Sequence, residues 1–148
     1  MTRTVFVALG IASAALYASE TRVKMQDLPE AVQKTVKEQT KNGKLRGLAK
    51  EIENGKTFYE AETTVDGKAR DILIDPSGAV VEVEETVALE SIPEAAQKSL
   101  KDAAGSGKII KVESVTKGPA VSYEAVVQKG GKKSEVAVNA DGTSRKKD

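Results

Sequence analysis

The 148-residue chain contains no cysteine, no histidine and no tryptophan. Without cysteine there is no disulfide framework and no thiolate metal site. Without histidine, the commonest general base and the commonest metal ligand are both missing. Aromatic residues make up only 3% of the chain, so its core must be built from Val, Ile, Leu and Ala. An excess of charge is also missing. The 23 basic and 22 acidic residues nearly cancel, which argues against a nucleic-acid partner, since that would call for a basic surplus.

Long apolar runs are scarce too. One begins at Val5-Phe6-Val7-Ala8-Leu9-Gly10-Ile11 and continues through Leu16, behind the single early charge of Arg3. The run is about a dozen residues, short of the roughly 20 that span a bilayer. A basic start, a short apolar middle and small residues at Ala18-Ser19 describe a secretory signal peptide over residues 1–18. The expected location is therefore periplasmic or secreted. Removing the segment removes Arg3 and leaves 22 basic residues against the 22 acidic ones. No membrane contact is expected after cleavage.

A long internal repeat is present. Asp27-Leu28-Pro29-Glu30-Ala31-Val32-Gln33-Lys34 returns as Ser91-Ile92-Pro93-Glu94-Ala95-Ala96-Gln97-Lys98, and Leu28 and Ile92 stand 64 residues apart. The match continues without a gap. Tyr59-Glu60-Ala61 answers to Tyr123-Glu124-Ala125, Gly67-Lys68 to Gly131-Lys132, and Gly78 to Gly142. That period suits a duplicated small domain better than a solenoid. Each copy opens as a helix, with Asp27 or Ser91 as the expected N-cap and a proline in the first turn. Helices are expected over 28–40 and 92–104.

Turn residues then mark strands. Asn54-Gly55 and Asp66-Gly67 demand positive φ at both central positions and read as two-residue hairpins. Strands are expected at 44–53, 56–65, 70–75 and 79–84, and again at 108–116, 120–129 and 133–139. A weak last strand is expected at 143–146, where the alternating Val80-Val81-Glu82-Val83 has become Ser144-Arg145-Lys146-Lys147. The expected fold is α+β: two tandem repeats, residues 21–85 and 86–148, each one helix followed by a four-stranded antiparallel meander.

Several motifs resolve into ordinary structure. Asp66, Asp71 and Asp75 miss the spacing of an EF-hand and suit turns and strand ends. Gly105-Ser106-Gly107-Lys108 follows a helix and enters a strand, the reverse of a phosphate loop. Glu60 and Glu62 share a strand face, but no nucleophile accompanies them. No catalytic residue, cofactor or metal ligand is expected, and the chain reads as a non-enzyme. Tyr59 and Tyr123 fall with Ala61 and Ala125 on the face expected to pack under the helices.

These motifs, in this order, resemble the PepSY-like family. They are Leu28-Pro29-Glu30-Ala31-Val32, Tyr59-Glu60-Ala61, Asp66-Gly67-Lys68 and Ile74-Asp75-Pro76-Ser77-Gly78 in the first copy. In the second they are Ile92-Pro93-Glu94-Ala95, Tyr123-Glu124-Ala125, Gly131-Lys132 and Asn139-Ala140-Asp141-Gly142. More narrowly, the chain is similar to tandem PepSY-like proteins that share a fold with the β-lactamase inhibitory protein. The resemblance implies a secreted or periplasmic non-catalytic binding module that restrains an extracytoplasmic peptidase or other enzyme. The alternative is an envelope or stress structural protein without a dedicated enzyme partner. The expected contact surface is the sheet face turned away from the helices. It carries Phe58, Glu60 and Glu62 from one copy and Ser122, Glu124 and Val126 from the other.

Overall fold

The computed structural model describes residues 19–145. The expected signal peptide, residues 1–18, lies outside the described residues. The chain runs β1 (Ser19–Arg22), α1 (Glu30–Gln39), β2 (Lys44–Glu53), β3 (Lys56–Val65), β4 (Lys68–Ile74) and β5 (Val80–Thr86). It continues through α2 (Glu94–Ala104), β6 (Lys108–Lys117), β7 (Ala120–Lys129) and β8 (Lys132–Asn139). All eight strands form one antiparallel sheet in sequence order. No helix among the described residues is long and apolar enough to cross a membrane.

This corrects the expected α+β pair of repeats, each with its own four-stranded sheet. The molecule is mostly β, with one eight-stranded meander and two short helices. Three features account for the difference. Ser19–Arg22, where no strand is expected, adds one to the edge of β2. The segment expected as a last strand has lost its apolar alternation, and among its described residues, 143–145, it keeps an isolated bridge from Ser144 to Val138. Finally, β5 pairs directly with β6, from Val83↔Thr116 to Thr86↔Glu113, and so closes the gap between the copies. The connector is pinned as well: Val87 N–H donates to the Val112 carbonyl at 3.0 Å, and Val87 and Leu89 pack into the core beneath α2.

The helix starts are also corrected. Pro29 and Pro93 are the N-caps, and neither Asp27 nor Ser91 caps a helix. The proline explains this, because it pushes the residue before it into the extended region. Leu28 (ψ 150°) and Ile92 (ψ 164°) are held there, so no helix extends back to residue 27 or 91. Asp27 instead accepts from the Lys24 N–H at 3.2 Å, and the Ser91 hydroxyl donates to the Ala88 carbonyl at 2.7 Å, each in a short 3-10 turn. The prolines leave Leu28 and Ile92 with free carbonyls facing the helix. Gln33 Nε2 donates to the first at 3.0 Å and Gln97 Nε2 to the second at 2.9 Å.

Both helices cover the same face of the sheet. Val32 and Val36 of α1 pack with Leu28, Leu48, Ala61, Ile72 and Ile74, while Tyr59 flanks this cluster. Ala96 and Leu100 of α2 pack with Ile92, Val112, Ala125 and Val138, flanked by Tyr123. Both tyrosines therefore sit under the helices as expected. Full burial of each large aliphatic side chain stabilises the fold by roughly 1.5–3 kcal/mol. The turns after β4 and β8 dock against the helices. A Cβ on Gly78 (φ +88°) would fall 2.8 Å from the Ala31 carbonyl oxygen, and one on Gly142 (φ +82°) would fall 2.6 Å from that of Ala95.

Candidate binding face

Side chains alternate across a strand, so the residues between the core positions emerge on the face without helices. The register places them in rows. One row runs Glu20↔Glu51↔Phe58. The next is Arg22↔Ala49↔Glu60↔Leu73↔Glu82. The longest is Gly47↔Glu62↔Asp71↔Glu84↔Val115↔Ser122↔Asn139. Beyond it lie Thr86↔Glu113↔Glu124↔Ala137 and Lys111↔Val126↔Glu135. Carboxylates thus recur across this sheet face, on all eight strands.

Cations cross this field but do not balance its centre. Arg22 reaches Glu62 at 2.7 Å, and Gly47 makes room where they meet: a Cβ there would lie 2.5 Å from Arg22 Nη1. Arg46 holds Asp71 at 2.8 Å and also donates to the Thr63 carbonyl. Lys111 pairs with Glu113, Lys117 with Glu82 at 3.4 Å, and Arg145 with Glu124 at 3.5 Å. Glu60, Glu82, Glu84 and Glu113 are all nine-tenths buried or more.

Burial sets the acid–base behaviour of this face. Burial, followed by the charges of Glu51, Asp71, Glu62 and Glu20, pushes the Glu60 carboxyl up to about 8. Burial and the neighbouring Glu113, Glu82 and Glu124 push Glu84 up to about 9. Burial also raises Glu51 and Asp71, although Arg46 pulls Asp71 back. Glu60, Asp71, Glu82 and Glu84 line one small pocket on this face. Glu20, Glu60 and Glu62 bring carboxylate oxygens within 4.8 Å of one another, a spacing that could hold a cation. Arg22 already lies between them, on Glu62 and at 4.0 Å from Glu20.

All six sequence-nominated residues lie on this helix-free face, but in two groups. Phe58, Glu60 and Glu62 are on β3, and Ser122, Glu124 and Val126 are on β7. Four strand spacings separate them, roughly 19 Å. Phe58 is half-buried beside Glu51, and Glu62 is engaged by Arg22. Ser122 is buried and accepts from Arg145 at 2.6 Å. Val126 is flanked by Lys111 and Glu135. Of the carboxylates that join the two groups, Asp71 reads from sequence as a turn or strand-end residue, and Glu82, Glu84 and Glu113 are not singled out. Their signal was the alternation in Val81-Glu82-Val83-Glu84, which puts both glutamates opposite the valines.

No protein-family model matches the chain, and neither does any curated protein. Among solved structures the fold is similar to a candidate periplasmic protein of Bacteroides eggerthii (TM-score 0.66, 17% identity, 80% of this chain and 86% of that one). It is also similar to a DUF2874 family protein of Bacteroides ovatus (TM-score 0.62, 18% identity, 80% and 85%). A BLIP-like protein of Bacteroides fragilis follows (TM-score 0.58, 17% identity, 82% and 85%). The chain thus shares a fold with a BLIP-like protein. At these identities the likeness speaks for the fold alone.

Proposed function

We propose that this protein is an extracytoplasmic, non-catalytic binding module of the PepSY-like kind. On this reading it holds a protein partner on the helix-free face of its sheet. The observation that carries the reading is the contrast in cover: the helices close one face, and the other is left open and paved with buried carboxylates. Perturbed, crowded carboxylates cluster at functional sites. The likeness to a candidate periplasmic protein and to a BLIP-like protein supports the location and the class. The lack of histidine and cysteine supports binding over catalysis. Charge complementarity selects a partner that presents Lys and Arg, and the family resemblance selects an extracytoplasmic peptidase as its class. Phe58, an aromatic ring beside Glu51 at the edge of the field, is the apolar anchor.

Phe58→Ala tests the proposal. Capture of a basic protein from a periplasmic extract is expected to weaken by more than about 1 kcal/mol, with thermal stability nearly unchanged. Normal capture by the variant would place the interface elsewhere, and unfolding would make the ring structural.

A further inference from the structure

The two core clusters share no residue: one lies under α1 and one under α2. The sheet joins them at the β5–β6 ladder, which runs only from Val83↔Thr116 to Thr86↔Glu113. Glu84 sits inside that short ladder, nine-tenths buried. Carboxylates face it from every neighbouring strand. Asp71 of β4 is directly opposite, Glu82 is on its own strand, Glu113 is on β6 and Glu124 is on β7. Each nearby cation is engaged by another acid: Arg46 by Asp71, Lys111 by Glu113, Lys117 by Glu82 and Arg145 by Glu124. Among the described residues no salt bridge reaches Glu84. It lines one small pocket with Glu82, Asp71 and Glu60, all of them acids, so a proton on Glu84 is what lets the carboxyl stay buried there.

We propose that the β5–β6 seam is a proton latch: a proton held on the buried Glu84 carboxyl keeps the two parts of the sheet joined, and its loss in alkaline medium loosens them. The helices lie on the other face and contribute no charge to the seam. Removal of the proton puts a buried charge among the carboxyls of Glu60, Asp71, Glu82, Glu113 and Glu124 with no cation to receive it. The sign follows from the raised Glu84 carboxyl. Its contribution is fully present below the ordinary Glu value and is lost as pH rises through about 9. The latch does not depend on the identity of any partner.

Amide hydrogen exchange tests this on the exported protein, with rates normalised to the intrinsic base-catalysed rate. Between pH 7 and pH 9.5, amides of Val83–Thr86 and Glu113–Thr116 are expected to speed up at least about tenfold, while those of the β7–β8 ladder do not. Glu84→Gln keeps a neutral side chain of the same shape without the titrating proton and is expected to abolish the acceleration. Uniform acceleration across the sheet, or the same acceleration in Glu84→Gln, would overturn the latch. Carbon NMR of the wild-type Glu84 carboxyl decides the matter even where the variant does not fold. A signal still protonated at pH 7 supports the latch, and one fully ionised at pH 6 overturns it.

Discussion

The two faces of this sheet are built by the same strands from alternate residues, and they obey opposite rules. On the helix-covered face, Leu48, Ala61, Ile72, Ile74 and Val112 are apolar and closed over by α1 and α2. On the other face, Glu60, Glu82, Glu84 and Glu113 are as deeply buried as a core, yet they are acids. Packing explains the first face. The second is a burden on stability, because replacing buried charge by well-packed apolar side chains is often neutral or stabilising. One face is closed by apolar packing, and the other buries acids that such packing does not explain. That division is the reason for assigning the function to the helix-free side.

The comparison can be broken most forcefully on the covered face. Ile72→Ala or Leu100→Ala deletes a fully buried aliphatic side chain and is expected to cost about 2–5 kcal/mol in urea unfolding. A loss below 1 kcal/mol would mean the helices do not close a core there. The next effect comes from the turn that docks on α2. Gly142→Ala places a Cβ at positive φ against the Ala95 carbonyl and is expected to cost about 1–3 kcal/mol. Thermal unfolding at fixed pH measures it, and an unchanged midpoint would refute the close approach.

On the open face the sign reverses. The raised Glu60 carboxyl contributes stability below its ordinary value that is lost as pH rises through about 8. Glu60→Gln removes that dependence and is expected to be about 1 kcal/mol more stable than the wild type at pH 9, with the two converging near pH 5. Parallel stability curves from pH 5 to 9 would show that Glu60 is not held in this way. The smallest effect belongs to neither face. Asp27 sits in an exposed turn ahead of α1, so Asp27→Ala is expected to change stability by about 0.5 kcal/mol or less. A loss near 1 kcal/mol would restore it as a helix cap.

Much of this division was legible in the sequence. Strand alternation placed Tyr59 and Ala61 opposite Phe58, Glu60 and Glu62, and the structure keeps them there. Asn54-Gly55 and Asp66-Gly67 turn at positive φ, as their residue types require. What could not be read was long-range. Nothing local in Thr86 says that it pairs with Glu113, so the continuity of the sheet was missed. The helix caps were misplaced because the N-cap pattern at Asp27 and Ser91 was weighted above the restriction that Pro29 and Pro93 impose on their predecessors. The acid field was half visible. Glu60 and Glu62 were noticed on one strand, but only the cross-strand register brings Asp71, Glu82, Glu84 and Glu113 into line with them.

The function of the helix-free face is tested most directly by chemical footprinting of carboxyl groups on the complex with a captured partner. A water-soluble carbodiimide and an amine label accessible Asp and Glu side chains, and mass spectrometry reads each site. With the partner bound, Glu20 and Glu51, in the row with Phe58 on the open face, are expected to lose reactivity several-fold, while Glu30 on α1 and Glu94 on α2 keep theirs. Protection of Glu30 and Glu94 with Glu20 and Glu51 unchanged would put the partner on the helices and contradict the assignment.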